Sequence, residues 1–189
     1  NPEDPEAGHR ELGFGRELWI EREDFSADPP PKYFRLGPGL KVRLKHAYII
    51  ECTGYKTNEQ GEVTEIECIY FPDSKSGEDK SGIKVKGTMH WLSCHSAQQA
   101  EVRLYDRLFN VENPAAEEGD FRSFINPDSL MVLPNAYIEP ALKESAHEDR
   151  FQFLRLGYFC LDKHATPDHL IFNRTVGLKD SWAKEVKKS

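Results

Sequence analysis

Five basic side chains, Lys32, Arg35, Lys41, Arg43 and Lys45, fall between Pro31 and Ile50, a stretch with no carboxylate at all. Elsewhere the balance is reversed. Asn1–Pro30 carries nine acidic and three basic residues, and the whole chain has 25 Lys+Arg against 32 Asp+Glu, a formal net charge of -7. Placed on a strand, Lys41, Arg43 and Lys45 project to one face while Val42 and Leu44 project to the other, into a core. Cations two residues apart on a strand stand about 6.8 Å apart, close to the spacing of phosphates along one nucleic-acid strand. Tyr33 and Phe34 lie between Lys32 and Arg35 and offer flat surfaces on which an unstacked base can rest. The plain alternative is a solvated basic strand face. Clustering like charges is costly unless a partner neutralises them, and this weighs toward a confined contact patch. The net negative charge argues against general nucleic-acid affinity, DNA included.

A second stretch, "RFQFLRLGYFCLD", sets Gln152 and Arg155 among apolar residues. Glutamine offers a paired donor and acceptor, and arginine a planar donor fork. Both suit base edges. Strict alternation would put 152 and 155 on opposite faces, so convergence needs a bulge or bend, and Gly157 marks the strand as irregular. A satisfied structural Gln–Arg pair is the competing reading. Phe151, Phe153, Phe159 and Leu161 are core candidates.

Other chemistry is weaker. His90, Cys94 and His95 in "MHWLSCHS" lack the paired spacing of a metal site, so no metal is expected. Asp106, Arg107 and Asp128 read better as structural ion pairs than as acid/base machinery, so no catalytic residue is expected here.

The elements that must position these groups are mostly strands. "ELWIERE", "LKVRLKHAYIIEC", "EVTEIECIYF", "IKVKGTMHWLSC", "AEVRLYDRLF", "RFQFLRLGYFCLD" and "LIFNRTVGL" alternate or are rich in β-branched and aromatic residues. "LGPG", "NEQG", "SKSGEDKSG", "NPAAEEGD" and "INPDS" punctuate them. Short helices are expected near 126–130, near 138–146 and in the tail "DSWAKEVKK". No strand–glycine loop–helix unit is present for a nucleotide. No apolar run approaches the roughly 20 residues of a membrane span, and no signal peptide opens the chain. The four cysteines, Cys52, Cys68, Cys94 and Cys160, form no C-x-x-C pair and read as reduced intracellular residues. The opening Asn1-Pro2-Glu3 leads us to expect a piece of a longer protein. The expected fold is all-β, two adjacent antiparallel β-barrels with a few short helices. Residues 1–12 are expected to be a linker, 13–98 the first barrel region and 99–189 the second.

"GRELWIEREDF", "KYFRLGPGLKVRLKHAYIIEC", "KVKGTMHWLS", "EVRLYDRLF", "INPDSL", "FQFLRLGYFCLD" and "FNRTVGLKDSWAK" resemble, in order and over nearly the whole chain, the C-terminal anticodon-binding region of glutaminyl-tRNA synthetases. The related β-type region of glutamyl-tRNA synthetases is the nearest competitor, but "HWLS", "VRLYDRLF" and "FNRTVGLKDSWAK" are closer to the glutaminyl form. A ribosomal-RNA-binding barrel protein is a further alternative, since barrels of this kind also occur there.

The resemblance implies two β-barrels side by side with chain exchange between them, and it implies roles. Gln152 and Arg155 match the pair that reads the middle anticodon base, a uridine. Arg43 and Lys45 match two basic residues that hold the first anticodon base and its phosphate, the family form having Arg where Lys45 stands. Arg35 matches the reader of the third base. Lys32 and Phe34 stand where that form has an amide and a Lys, and with Tyr33 and Lys41 they are further candidates for anticodon or phosphate contact. Adenylate chemistry in this class needs an H-I-G-H-like and a K-M-S-K-S-like motif, and neither string occurs here. The resemblance therefore implies a binding module with no cofactor of its own, cut from a ligase that uses ATP with Mg. Its implied partners are tRNA(Gln) and its own catalytic domain. A cytoplasmic monomer is expected.

Overall fold

The computed structural model describes residue 6 and residues 8–147 and 149–178. Its strands are β1 (Leu18–Trp19), β2 (Lys41–Leu44), β3 (Ile49–Thr57), β4 (Val63–Phe71), β5 (Thr88–Met89), β6 (Leu92–Ser93), β7 (Gln98–Tyr105), β8 (Leu130–Ile138), β9 (Arg150–Phe153), β10 (Gly157–Leu161) and β11 (Ile171–Val176). The chain divides into two units, Asn1–Ser96 and Ala97–Ser189, and each sheet takes its strands from one unit.

In the first unit the sheet order is β4-β3-β2-β5, with a separate β1-β6 ribbon. Alternation in β2 works as the sequence requires: Val42 and Leu44 are fully buried, while Lys41 and Arg43 face outward. The core joins them to Leu36, Ala47, Ile50, Cys52, Met89 and Trp91. The β3–β4 hairpin turns where Asn58 Oδ1 accepts the N–H groups of Gln60 and Glu62, with Gly61 at φ 80°. Asparagine closes such turns with its own side chain, and glycine takes the left-handed position without strain.

In the second unit the order is β8-β7-β11-β10-β9. Phe159 and Phe172 are buried with Ala100, Val102, Ile138 and Leu170, and Phe151, Phe153 and Leu161 pack against them. Phe153 stacks on Phe159 with centroids 4.2 Å apart. The four core candidates of the second stretch thus fall where alternation puts them.

The all-β class holds, but closure does not. The described sheets are open, with β4, β5, β8 and β9 at their edges. They are also mixed rather than antiparallel, because β2–β5 and β11–β7 pair in parallel. The strand β8 was not legible. Its apolar run "LMVL" does not alternate, and Pro134 lacks the N–H a central strand needs. On an edge that donor is dispensable, and the β7–β8 register shifts between Ala100 and Val102, opposite the stretch containing Pro134. "NPDSL" is a turn rather than a helix, because Asn126 Oδ1 accepts the Asp128 N–H and closes an Asx turn. The expected helix at 138–146 is a single 3-10 segment, Pro140–Glu144, and another forms at Phe121–Phe124. The expected tail helix lies outside the described residues. No helix among the described residues is long and apolar enough to cross a membrane.

Candidate nucleic-acid interface

The basic segment is less bare than its sequence suggests. Arg35 Nη1 lies 3.0 Å from Asp24 Oδ1 and donates to the Glu23 carbonyl at 2.9 Å. Lys41 Nζ pairs with Glu51 at 2.8 Å, its direct cross-strand neighbour, and sits 5.7 Å from the Phe71 ring centroid. Arg43 donates through Nη1 to the Ser74 carbonyl at 2.6 Å and to Ser76 Oγ at 3.4 Å, and through Nη2 to Asp79. Asp24 and Asp79 come from outside the segment and Glu51 directly follows it, so the absence of acid within 31–50 gives no hint of them. Lys32 and Lys45 differ. Among the described residues neither ammonium has a carboxylate partner.

Lys45 stands just past the end of β2, in the turn that leads to β3. Its backbone is fixed at both ends: its N–H donates to the Met89 carbonyl at 2.9 Å, and its carbonyl accepts from Trp91 Nε1 at 2.9 Å. Phe34 is 48% exposed, an open ring rather than core. Lys86 Nζ lies 5.2 Å from its centroid, a basic residue the sequence reading passed over. The signal was there, in the alternation of "IKVKG" leading to Gly87. That glycine is obligatory. A Cβ on it would meet the Phe34 carbonyl oxygen at 1.7 Å, so only glycine lets this segment lie against the Phe34 backbone. Tyr33 donates weakly to the Glu23 carbonyl at 3.4 Å, and burial, opposed by the nearby Arg35 charge, raises its phenol above the ordinary value.

The second stretch is a hairpin, not one strand with a bulge. β9 and β10 pair in the register Phe151↔Phe159, Gln152↔Tyr158 and Phe153↔Gly157, joined by Leu154, Arg155 and Leu156. Gln152 and Tyr158 face outward together, opposite the phenylalanines. Arg155 sits exposed in the connecting turn at φ 65°, and the Leu156 N–H closes that turn onto the Phe153 carbonyl at 2.9 Å. The hairpin thus puts a fork donor at its tip and an amide on the adjoining strand, the bend that alternation alone could not supply. At its base, Gly157 holds φ 143°, and a Cβ there would lie 2.4 Å from the Val176 carbonyl oxygen.

Backbone strain marks the same two segments. Three described non-glycine residues have positive φ: Lys32 at 65°, His46 at 61° and Arg155 at 65°. Left-handed backbone costs an L-residue roughly 1–2 kcal/mol, and such strain concentrates at binding and catalytic sites. Two of the three are site candidates and the third directly follows Lys45.

The other candidates are structural. Asp106 Oδ1 accepts the Arg107 N–H at 2.8 Å, and Asn126 Nδ2 donates to the Arg107 carbonyl at 3.0 Å, so this cluster shapes a turn. Among the described residues no group of His, Cys, Asp and Glu is arranged to hold a metal ion. The described helices are 3-10 segments of three to five residues. None offers the helix N-terminus on which a nucleotide phosphate is cradled.

An all-β scaffold that displays arginines and lysines with open aromatic rings carries the groups that a single nucleic-acid strand can use. Two sequence models of one group, both described as the anticodon-binding domain of class I tRNA synthetases (E and Q), match residues 1–71 and 88–162. The chain belongs to this family of class I synthetase anticodon-binding domains. Among its curated relatives, a glutamine–tRNA ligase of Bradyrhizobium diazoefficiens is 48% identical over 188 residues, 100% of this chain and 33% of the relative. Those of Cupriavidus taiwanensis and Vibrio parahaemolyticus are 54% and 51% identical over 186 and 185 residues, 97% of this chain and 32% and 33% of theirs. The chain therefore spans about a third of the length of the curated relatives it matches.

Proposed function

We propose that this chain is the anticodon-reading part of a cytoplasmic glutamine–tRNA ligase and that it holds the anticodon of tRNA(Gln) splayed open. Arg155 and Gln152 read the middle base. Arg43 and Lys45 hold the first base and its phosphate, and Arg35 reads the third. Phe34 and Tyr33 offer stacking faces, while Lys32 and Lys41 meet phosphate. The observation that carries this reading is the placement of Arg155: an exposed fork donor at a hairpin tip, with Gln152 facing outward on the strand that leads into it. ATP with Mg belongs to the rest of such a ligase. The described 3-10 segments of this chain do not fit a nucleotide. Anticodon occupancy and acceptor-end binding must be coupled reciprocally in the full protein.

The test is a nuclease footprint of the full-length protein on a glutamine tRNA and on a non-glutamine tRNA. Protection of all three anticodon nucleotides in the first, and its absence in the second, is expected. Equal protection of both RNAs would remove the reading.

A further inference from the structure

Arg35 and Arg43 share an arrangement that the lysines of the same segment lack. Each guanidinium is gripped at two points, by a carboxylate and by a main-chain carbonyl: Asp24 with Glu23 for Arg35, and Asp79 with Ser74 for Arg43. Both carboxylates are themselves fixed. Asp24 is fully buried at the end of the 3-10 segment Arg22–Asp24, and its carbonyl accepts the Leu36 N–H at 3.0 Å, tying it to the strand-like stretch that follows Arg35. Asp79 accepts the Ser81 N–H at 2.8 Å and the Ser81 hydroxyl at 2.7 Å. Its loop is pinned by Lys80 N–H to the Asp73 carbonyl and by Ser76 N–H to the Ala47 carbonyl. Ser74, fully buried, accepts the Ile49 N–H and donates to the Phe71 carbonyl, both at 2.7 Å, so the carbonyl that meets Arg43 is held as well.

A guanidinium carries five N–H donors in one plane. Arg43 is held through Nη1 and Nη2 and Arg35 at two points through Nη1, which restrains each plane and leaves donors for a ligand. A carboxylate alone, as Glu51 provides for Lys41, neutralises charge but does not orient a fork. Base-edge readout demands orientation to within about 10–20°, whereas phosphate contact asks only for charge.

We infer that Asp24 and Asp79 are specificity-determining positioning residues, which aim Arg35 and Arg43 at base edges so that discrimination, rather than overall RNA affinity, depends on them. The inference rests on the anticodon-contact reading above and adds to it two acidic residues that touch no RNA. It also explains why an anion-binding segment keeps carboxylates beside its arginines: they set direction.

The measurement is equilibrium binding of the full-length protein to a tRNA(Gln) transcript and to two variants, altered at the first and at the third anticodon base, across a salt series. Asp79→Asn is expected to lower the preference for the cognate over the first-base variant about tenfold, the size of one misdirected fork contact. The salt slope should not fall, because Arg43 keeps its charge and loses a competing carboxylate. Asp24→Asn should do the same at the third base. Asp24 is buried and its variant need not fold, so Asp79→Asn decides the matter alone if it does not. Asp79→Glu should restore part of the lost preference. If Asp79→Asn leaves both preferences at the wild-type value while Arg43→Ala lowers the first-base preference, the positioning inference falls and the contact reading stands. If Arg43→Ala also changes nothing, both fall.

Discussion

Replacing Arg155 by alanine removes a planar donor fork from the hairpin tip. It should cost about 1–3 kcal/mol in binding tRNA(Gln) and relax discrimination at the middle anticodon base. Replacing Lys45, a point charge with no carboxylate beside it among the described residues, should instead weaken all tRNAs evenly and lower the salt slope by about one unit. Binding of the full-length protein to tRNA(Gln) and to a middle-base variant, across a salt series, separates the two. The assignment is wrong if Arg155→Ala weakens both RNAs equally and Lys45→Ala leaves the slope untouched. At this scale the sequence was readable wherever a rule is local. The period of two sent Val42 and Leu44 inward and Lys41 and Arg43 outward. It was silent wherever partners are distant in sequence. Asp79 meets Arg43 across 36 residues, and no local pattern encodes such a meeting.

The β9–β10 hairpin carries its site on a base that tolerates no side chain at Gly157. Gly157→Ala would force a Cβ to 2.4 Å from the Val176 carbonyl at a φ of 143°. The β10–β11 pairing must then part, at a cost of about 1–3 kcal/mol for overpacking against backbone. Chemical denaturation should register the loss, and middle-base discrimination should fall with it, since the tip is carried by this pairing. A midpoint equal to that of the wild type would contradict the geometry. The sequence flagged Gly157 as an irregularity but read one strand where two run back to back, because a three-residue turn built from "LRL" has no Gly, Pro, Asn or Asp to announce it. The same blindness hid β8, whose apolar run and Pro134 hide an edge strand behind the features of a non-strand.

Taken whole, the chain is two β units, each with its own aromatic or aliphatic core. Circular dichroism should show strand and irregular structure with far less helix than the roughly one-third of an average globular protein. Acid should act on the second unit through Asp162. The Asn173 amide at 2.6 Å, the His164 N–H at 2.8 Å and the Arg103 charge hold its carboxyl below the ordinary 3.8. A depressed carboxyl gives stability that is fully present above its unfolded value and is lost as pH falls through the folded one. Asp162→Asn should therefore melt below the wild type at neutral pH, and the gap should narrow as the pH drops below about 4. A gap that stays constant down to the acid limit would exclude that role. Arg155 is left-handed as well, so the residue that replaces it matters to the fold. Glycine there would relieve the backbone while removing the fork, so Arg155→Gly should fold about 1 kcal/mol more stably than Arg155→Ala and read the anticodon no better. A screen for heat resistance among variants that have already lost the fork would thus favour glycine over alanine at this position, and every survivor would have gone illiterate.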